Sequence, residues 1–164
     1  DVGAPEERYE PAEPVVEAIT AFNATAALAP AATGPMIIEP LLASGELDAL
    51  CRDVIRPFYE ERSRQAVDWL RDECRGLPLR IHRPEGAFFL WLWFPGLPVP
   101  SQELYRRLKA RGVLVLSGHH FFPGLEEPWP HRDECLRINC SQSPESVRAG
   151  IRLIGEESRR AYGA

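Results

Sequence analysis

The sequence predicts an α/β (α+β) chain in which a run of helices leads into a two-layer unit, a small sheet with helices on one face. Two observations carry that expectation. Apolar residues recur at helical spacing as far as Arg75 and at extended spacing after Gly76. Beyond Gly76 the elements read strand, strand, helix, strand, strand, helix, an order that buries one sheet face under helices. The size agrees, since 164 residues with 45% hydrophobic and 26% charged suffice for one such unit and part of another.

The elements follow in order. Residues 1–13, rich in acids and prolines, predict a disordered lead-in. The pattern from Val15 to Leu28 suits a helix, Pro30–Pro35 a loop, and Met36–Ala43 a short helix despite Pro40. Residues 46–75 form the longest periodic stretch. Leu47, Leu50, Val54, Ile55, Phe58, Val67 and Leu70 give it one apolar face, and Pro57 is expected to kink or split it.

After Gly76, Leu79–Arg83 reads as a strand, Pro84-Glu85-Gly86 as a turn, and Ala87–Phe94 as a buried strand rich in aromatics. Ser101 is placed to cap a helix Gln102–Arg111 that stops at Gly112. Val113–Leu116 and Leu136–Cys140 read as the remaining strands, separated by a loop Ser117–Asp133. Pro144, as the first helical residue, opens the last helix, whose inner face carries Val147, Ile151 and Ile154.

Charge and hydropathy narrow the function. The net charge of −5 offers no basic surface for nucleic acid or an anionic membrane. The longest apolar run, Ala87–Phe94, is far short of the about 20 residues that span a bilayer. Cys51, Cys74, Cys135 and Cys140 form no C-x-x-C pair, which suits free thiols in a reducing cytoplasm. The chain starts at Asp rather than Met, as a fragment or processed product would.

Chemistry concentrates in two places. The loop Ser117–Asp133 holds Gly118, His119, His120, Phe121, Phe122, Trp129 and His131, and loops of that length in a compact unit are often functional. His119, His120, His131 and Cys135 offer zinc donors, but their spacing matches no structural zinc pattern, so no metal is expected. Arg137, between Leu136 and Ile138 in an apolar strand, points either to solvent or into a cleft. In a cleft its guanidinium would await a planar anion such as a carboxylate.

Several segments together resemble one family. Arg80–Phe94 (RIHRPEGAFFLWLWF), Leu104–Leu116 (LYRRLKARGVLVL), the loop GHHFFPGL, Trp129-Pro130-His131 and Cys135–Asn139 (CLRIN) are similar to the C-terminal portion of valine–pyruvate aminotransferases, class I/II enzymes of pyridoxal-phosphate fold type I. AITAFNATAALAP and VIRPFYEERS add to the likeness. The resemblance implies a large-domain remnant over residues 14–45, a long interdomain helix over 46–75, and a small domain over 76–164. It implies that Arg137 holds the substrate α-carboxylate, with Gly118, His119 and Phe121 at the substrate mouth. It also implies a pyridoxal 5'-phosphate cofactor, valine or alanine and a 2-oxo acid as substrates, and a homodimer in the complete enzyme. The family's Schiff-base lysine has no counterpart: Lys109 is the only lysine and matches a scaffold position. The chain alone is therefore expected to be inactive, and the alternative is a non-catalytic binding or assembly module.

Overall fold

The computed structural model describes residues 13–26 and 32–163. The expected lead-in apart from Glu13, the end of the first helix at Ala27 and Leu28, and the start of the following loop lie outside the described residues. The chain divides into two compact units, one ending at Asp48 and the other beginning at Ala49.

The first unit holds helices α1 (Glu13–Ala26) and α2 (Thr33–Ser44), neither of which has a buried residue. The expected loop thus ends earlier than Pro35. A proline in a helix's first turn gives up an N–H that has no intrahelical acceptor anyway, so Pro35 is tolerated there. Gly45 adopts φ +77° and closes α2, its N–H donating to Leu42 O at 3.2 Å.

The long periodic stretch becomes α3 (Glu46–Leu50), a π turn (Cys51–Ile55) and α4 (Arg56–Glu73), so it divides into two α-helices with Pro57 in the first turn of the second. The reason is local. A proline ring clashes with the carbonyl four residues back, here that of Asp53, and the wider i→i+5 turn moves that carbonyl aside. The irregularity expected at Pro57 is absorbed one turn upstream.

The second unit's sheet comprises β1 (Arg80–Ile81), β2 (Phe89–Trp93), β3 (Leu116–Ser117) and β4 (Cys135–Asn139), in the order β1-β2-β4-β3 with every pair antiparallel. Helices α5 (Ser101–Ala110) and α7 (Pro144–Tyr162) join α4 on one face. Leu90 and Leu92 of β2 and Leu136 and Ile138 of β4 point into that layer. There they meet Ala66, Val67 and Leu70 of α4, Leu104 and Leu108 of α5, and Val147, Ile151 and Ile154 of α7. This is the two-layer arrangement expected from the element order.

Two glycines allow close approaches. A Cβ on Gly155 would stand 2.7 Å from Glu73 O, so α7 lies directly against the end of α4. Arg159 Nη1 donates to the same carbonyl at 2.5 Å. A Cβ on Gly118 would stand 2.6 Å from Arg132 O and 2.8 Å from Cys135 Cβ. At the far end of α5, Arg111 bonds Glu156 at 2.6 Å and Glu157 at 2.8 Å, joining α5 to α7.

Two local expectations need correction. Ser101 is not a cap: Pro100 holds the cap position, and the Ser101 hydroxyl bonds Ser117 Oγ at 2.6 Å. The third strand begins at Leu116, not Val113. The Val113 N–H is spent on Leu108 O at 3.0 Å, ending α5, so the chain reaches β4 only afterwards.

Candidate functional site

The site develops on the sheet face away from the helices. Side chains alternate along a strand, so the register places Phe89, Trp91 and Trp93 of β2 on one face with Cys135 and Arg137 of β4 and Leu116 of β3. Arg137 lies directly across from Trp91 on one side and Leu116 on the other. This surface is rich in aromatic rings and carries two guanidinium groups, that of Arg137 and that of Arg80, which lies 5.0 Å from the Trp93 ring centre.

The segment after β3 folds over it. Gly118–Phe121 forms a 3-10 turn that rounds the sheet edge, and Pro130–Asp133 forms a short helix, α6. The bare Gly118 backbone lets that turn lie against Arg132 and Cys135. Phe121 meets Trp91 edge-to-face at a centroid distance of 5.1 Å, and Phe122 meets Trp129 at 5.1 Å. His131 packs on Trp93 at 4.8 Å and on Trp129 at 4.8 Å. Offset and edge-on contacts of this kind each add about 0.5–1.5 kcal/mol beyond the area they bury. The aromatics of the loop therefore form a partly exposed cluster of their own.

Arg137 sits at the open end of this cluster, half-buried. Its guanidinium carbon lies 4.2 Å from the Phe89 ring centre and 4.8 Å from that of Phe121. Among the described residues no carboxylate or carbonyl bonds it. Ring faces attract a cation and restrict its rotamers, but they accept none of the five N–H bonds a guanidinium can donate. The arrangement holds a fork of donors in place and leaves it free for an incoming planar anion.

Of the four residues singled out from the sequence, the structure brings Phe121 against Arg137 and uses Gly118 to seat the turn that carries it. His119 turns back towards the helix layer, Nδ1 lying 2.8 Å from Ser117 Oγ. Burial, and secondarily His120, hold its pKa below the usual histidine value. His120 stacks on it at 3.8 Å and is exposed. His131 and Cys135 approach to 3.5 Å, and burial pushes the Cys135 thiol up to about 12, which keeps it protonated at neutral pH. Among the described residues no three His, Cys, Asp or Glu side chains converge as a metal site would require.

Sequence reasoning passed over Phe89, Trp91, Leu116 and the Ser101–Ser117 pair. The signal for the first two was present: Phe89, Trp91 and Trp93 alternate with Leu90 and Leu92, giving β2 an aromatic and an aliphatic face.

No protein-family model matches the chain. It is 43% identical over 92% of its length to valine–pyruvate aminotransferase of Escherichia coli (strain K12), covering 36% of that protein. It is 30% identical over 89% of its length to the HTH-type transcriptional regulator TauR of Rhodobacter capsulatus, covering 29% of it. The crystal structure of valine–pyruvate aminotransferase from Salmonella typhimurium LT2 superposes with a TM-score of 0.83 at 42% identity, over 92% of this chain and 39% of that one. The chain thus spans about a third of the length of the relatives it matches. In sequence and fold it belongs with the C-terminal portion of the fold-type I aminotransferases, of which valine–pyruvate aminotransferase is a member.

Proposed function

We propose that this chain supplies the carboxylate-gripping part of an aminotransferase that exchanges an amino group between valine or alanine and a 2-oxo acid. The observation that carries the reading is the Arg137 guanidinium, clasped by Phe89 and Phe121 with every N–H uncommitted among the described residues. A bidentate bond from Arg137 would fix the carboxylate plane common to amino acid and 2-oxo acid. The apolar walls of Trp91 and Leu116 would face the rest of a neutral substrate. Gly118 and Phe121 line this mouth from the turn, and His119 stands behind them.

Pyridoxal phosphate is the cofactor of the relatives' chemistry, and this chain does not fit it alone. Lys109, the sole lysine, is exposed on α5 in the helix layer, whereas Arg137 stands on the opposite sheet face. Among the described residues no amine lies beside the guanidinium to anchor the cofactor. The complete reaction would need a lysine from beyond these 164 residues, and a homodimer in a reducing cytoplasm is the setting we propose for it.

A second reading is favoured by the likeness to a transcriptional regulator. In it the chain belongs to a module that binds a carboxylate without turning it over. Isothermal titration with pyruvate tests what both readings share. Replacing Arg137 by Gln should weaken binding by about tenfold, the lower end of what a charged hydrogen bond contributes. Equal affinities would refute the site. Borohydride treatment at equimolar pyridoxal phosphate then separates the self-sufficient enzyme from both readings, because only that enzyme would trap the cofactor stoichiometrically at one lysine.

A further inference from the structure

The hydroxyls of Ser101 and Ser117 and the ring of His119 form a chain of hydrogen bonds with only one fully satisfied arrangement of protons. Ser101 Oγ lies 2.6 Å from Ser117 Oγ, which lies 2.8 Å from His119 Nδ1. Ser101 is 0% exposed and Ser117 1% exposed. Among the described residues Ser101 Oγ has no other partner.

If Ser101 donates to Ser117 and Ser117 donates to Nδ1, both hydroxyl protons are used. If Nδ1 carries a proton and donates it to Ser117, one serine proton is left without an acceptor in a dry site. The first arrangement is preferred by about tenfold or more on the penalty for an unsatisfied buried donor. It requires a neutral imidazole with its proton on Nε2. The direction of the His119 pKa agrees, set by burial and then by His120; Arg132 acts the same way and Asp133 of α6 opposes them.

The same turn carries Phe121, whose ring covers Arg137. We propose that His119 is a positioning residue. Locked as the Nε2–H tautomer by Ser117, which Ser101 in turn links to α5, it ties the Gly118–Phe121 turn to the helix layer and so keeps Phe121 over the Arg137 guanidinium. The consequence for ligand affinity rests on the reading of Arg137 as a carboxylate receptor; the tautomer and the tie do not.

Long-range proton–nitrogen correlation spectra of the 164-residue chain test the lock. Wild type should show His119 protonated on Nε2. Ser101→Ala should preserve that tautomer, because Ser117 can still donate, whereas Ser117→Ala should abolish the preference. Ser117→Ala should also displace the Arg137 Nε–H signal, since Phe121 shifts, and weaken pyruvate binding several-fold. His119→Asn keeps an acceptor near the position of Nδ1 and should bind pyruvate more tightly than His119→Ala. A dominant Nδ1–H tautomer, or Ser117→Ala spectra identical to wild type at His119 and Arg137, would overturn the proposal. If pyruvate fails to bind wild type, the Arg137 reading falls, and the two NMR signals still decide the positioning role.

Discussion

Gly118→Ala is the sharpest structural perturbation of the site. The added methyl would stand 2.6 Å from Arg132 O, 2.8 Å from Cys135 Cβ and 3.0 Å from Cys135 O. Carbon contacts settle at about 3.5–4.0 Å, so roughly 1 Å must come from movement of the neighbours. Two of those three are backbone atoms and the third is a Cβ fixed to β4, so no flexible side chain can yield. Overpacking costs about 1–3 kcal/mol, and this rigid setting argues for the upper half, about 2–3 kcal/mol. For a cooperative unit of slightly over 100 residues that is a fall of roughly 8–12 °C in Tm. Calorimetry reads the shift, and Trp91 fluorescence should change with it because Phe121 leaves the indole edge. A variant within about 1 °C of wild type with unaltered fluorescence would show that the turn does not lie against β4.

Other positions follow the same logic. Gly155→Ala should destabilise by about 1–3 kcal/mol in urea unfolding, since its Cβ meets Glu73 O at 2.7 Å. Gly150→Ala in the same helix, with nothing nearer than Val113 Cγ1 at 3.9 Å, should stabilise by about 0.5–1 kcal/mol. Of the four thiols only Cys51 is exposed, and burial raises Cys74 to about 11 and Cys135 to about 12. A chromogenic disulfide at mildly alkaline pH should therefore label one thiol quickly and the rest only on unfolding. The Arg111 hydrogen bond holds the Glu156 carboxyl below its ordinary pKa. A lowered folded-state pKa adds stability above the unfolded value and loses it as pH falls through the folded value. Arg111→Ala should thus be less stable at neutral pH, yet lose less than wild type on acidification. Parallel urea midpoints from neutral to acid pH would contradict that coupling.

How far the sequence could be read depended on which interactions were local. The change of period at Gly76, the aromatic-rich run of β2 and Pro144 at the start of α7 are short-range signals, and the structure follows them. Helix α2 survives Pro40 within it, as its flanking residues suggested. The departures came where a side chain or backbone group took a partner that its immediate neighbours do not reveal. Ser101 looked like a cap because capping needs only its neighbours, but its hydroxyl is taken by Ser117, sixteen residues away. Val113 looked extended until its N–H proved to close α5. At the site, Arg137 stood out as a charge in an apolar strand. Its ring partners Phe89 and Phe121 could not be assigned without the register and the path of the loop.

The central claim is that the Arg137 guanidinium is held between two rings and kept open for a carboxylate. Its own Nε–H resonance reports this most directly. Clasped by Phe89 and Phe121 it should resonate away from the exposed arginines, and on titration with pyruvate it should move saturably, ahead of every other arginine signal. An Nε–H resonance coincident with the exposed arginines and unmoved by pyruvate would contradict the account.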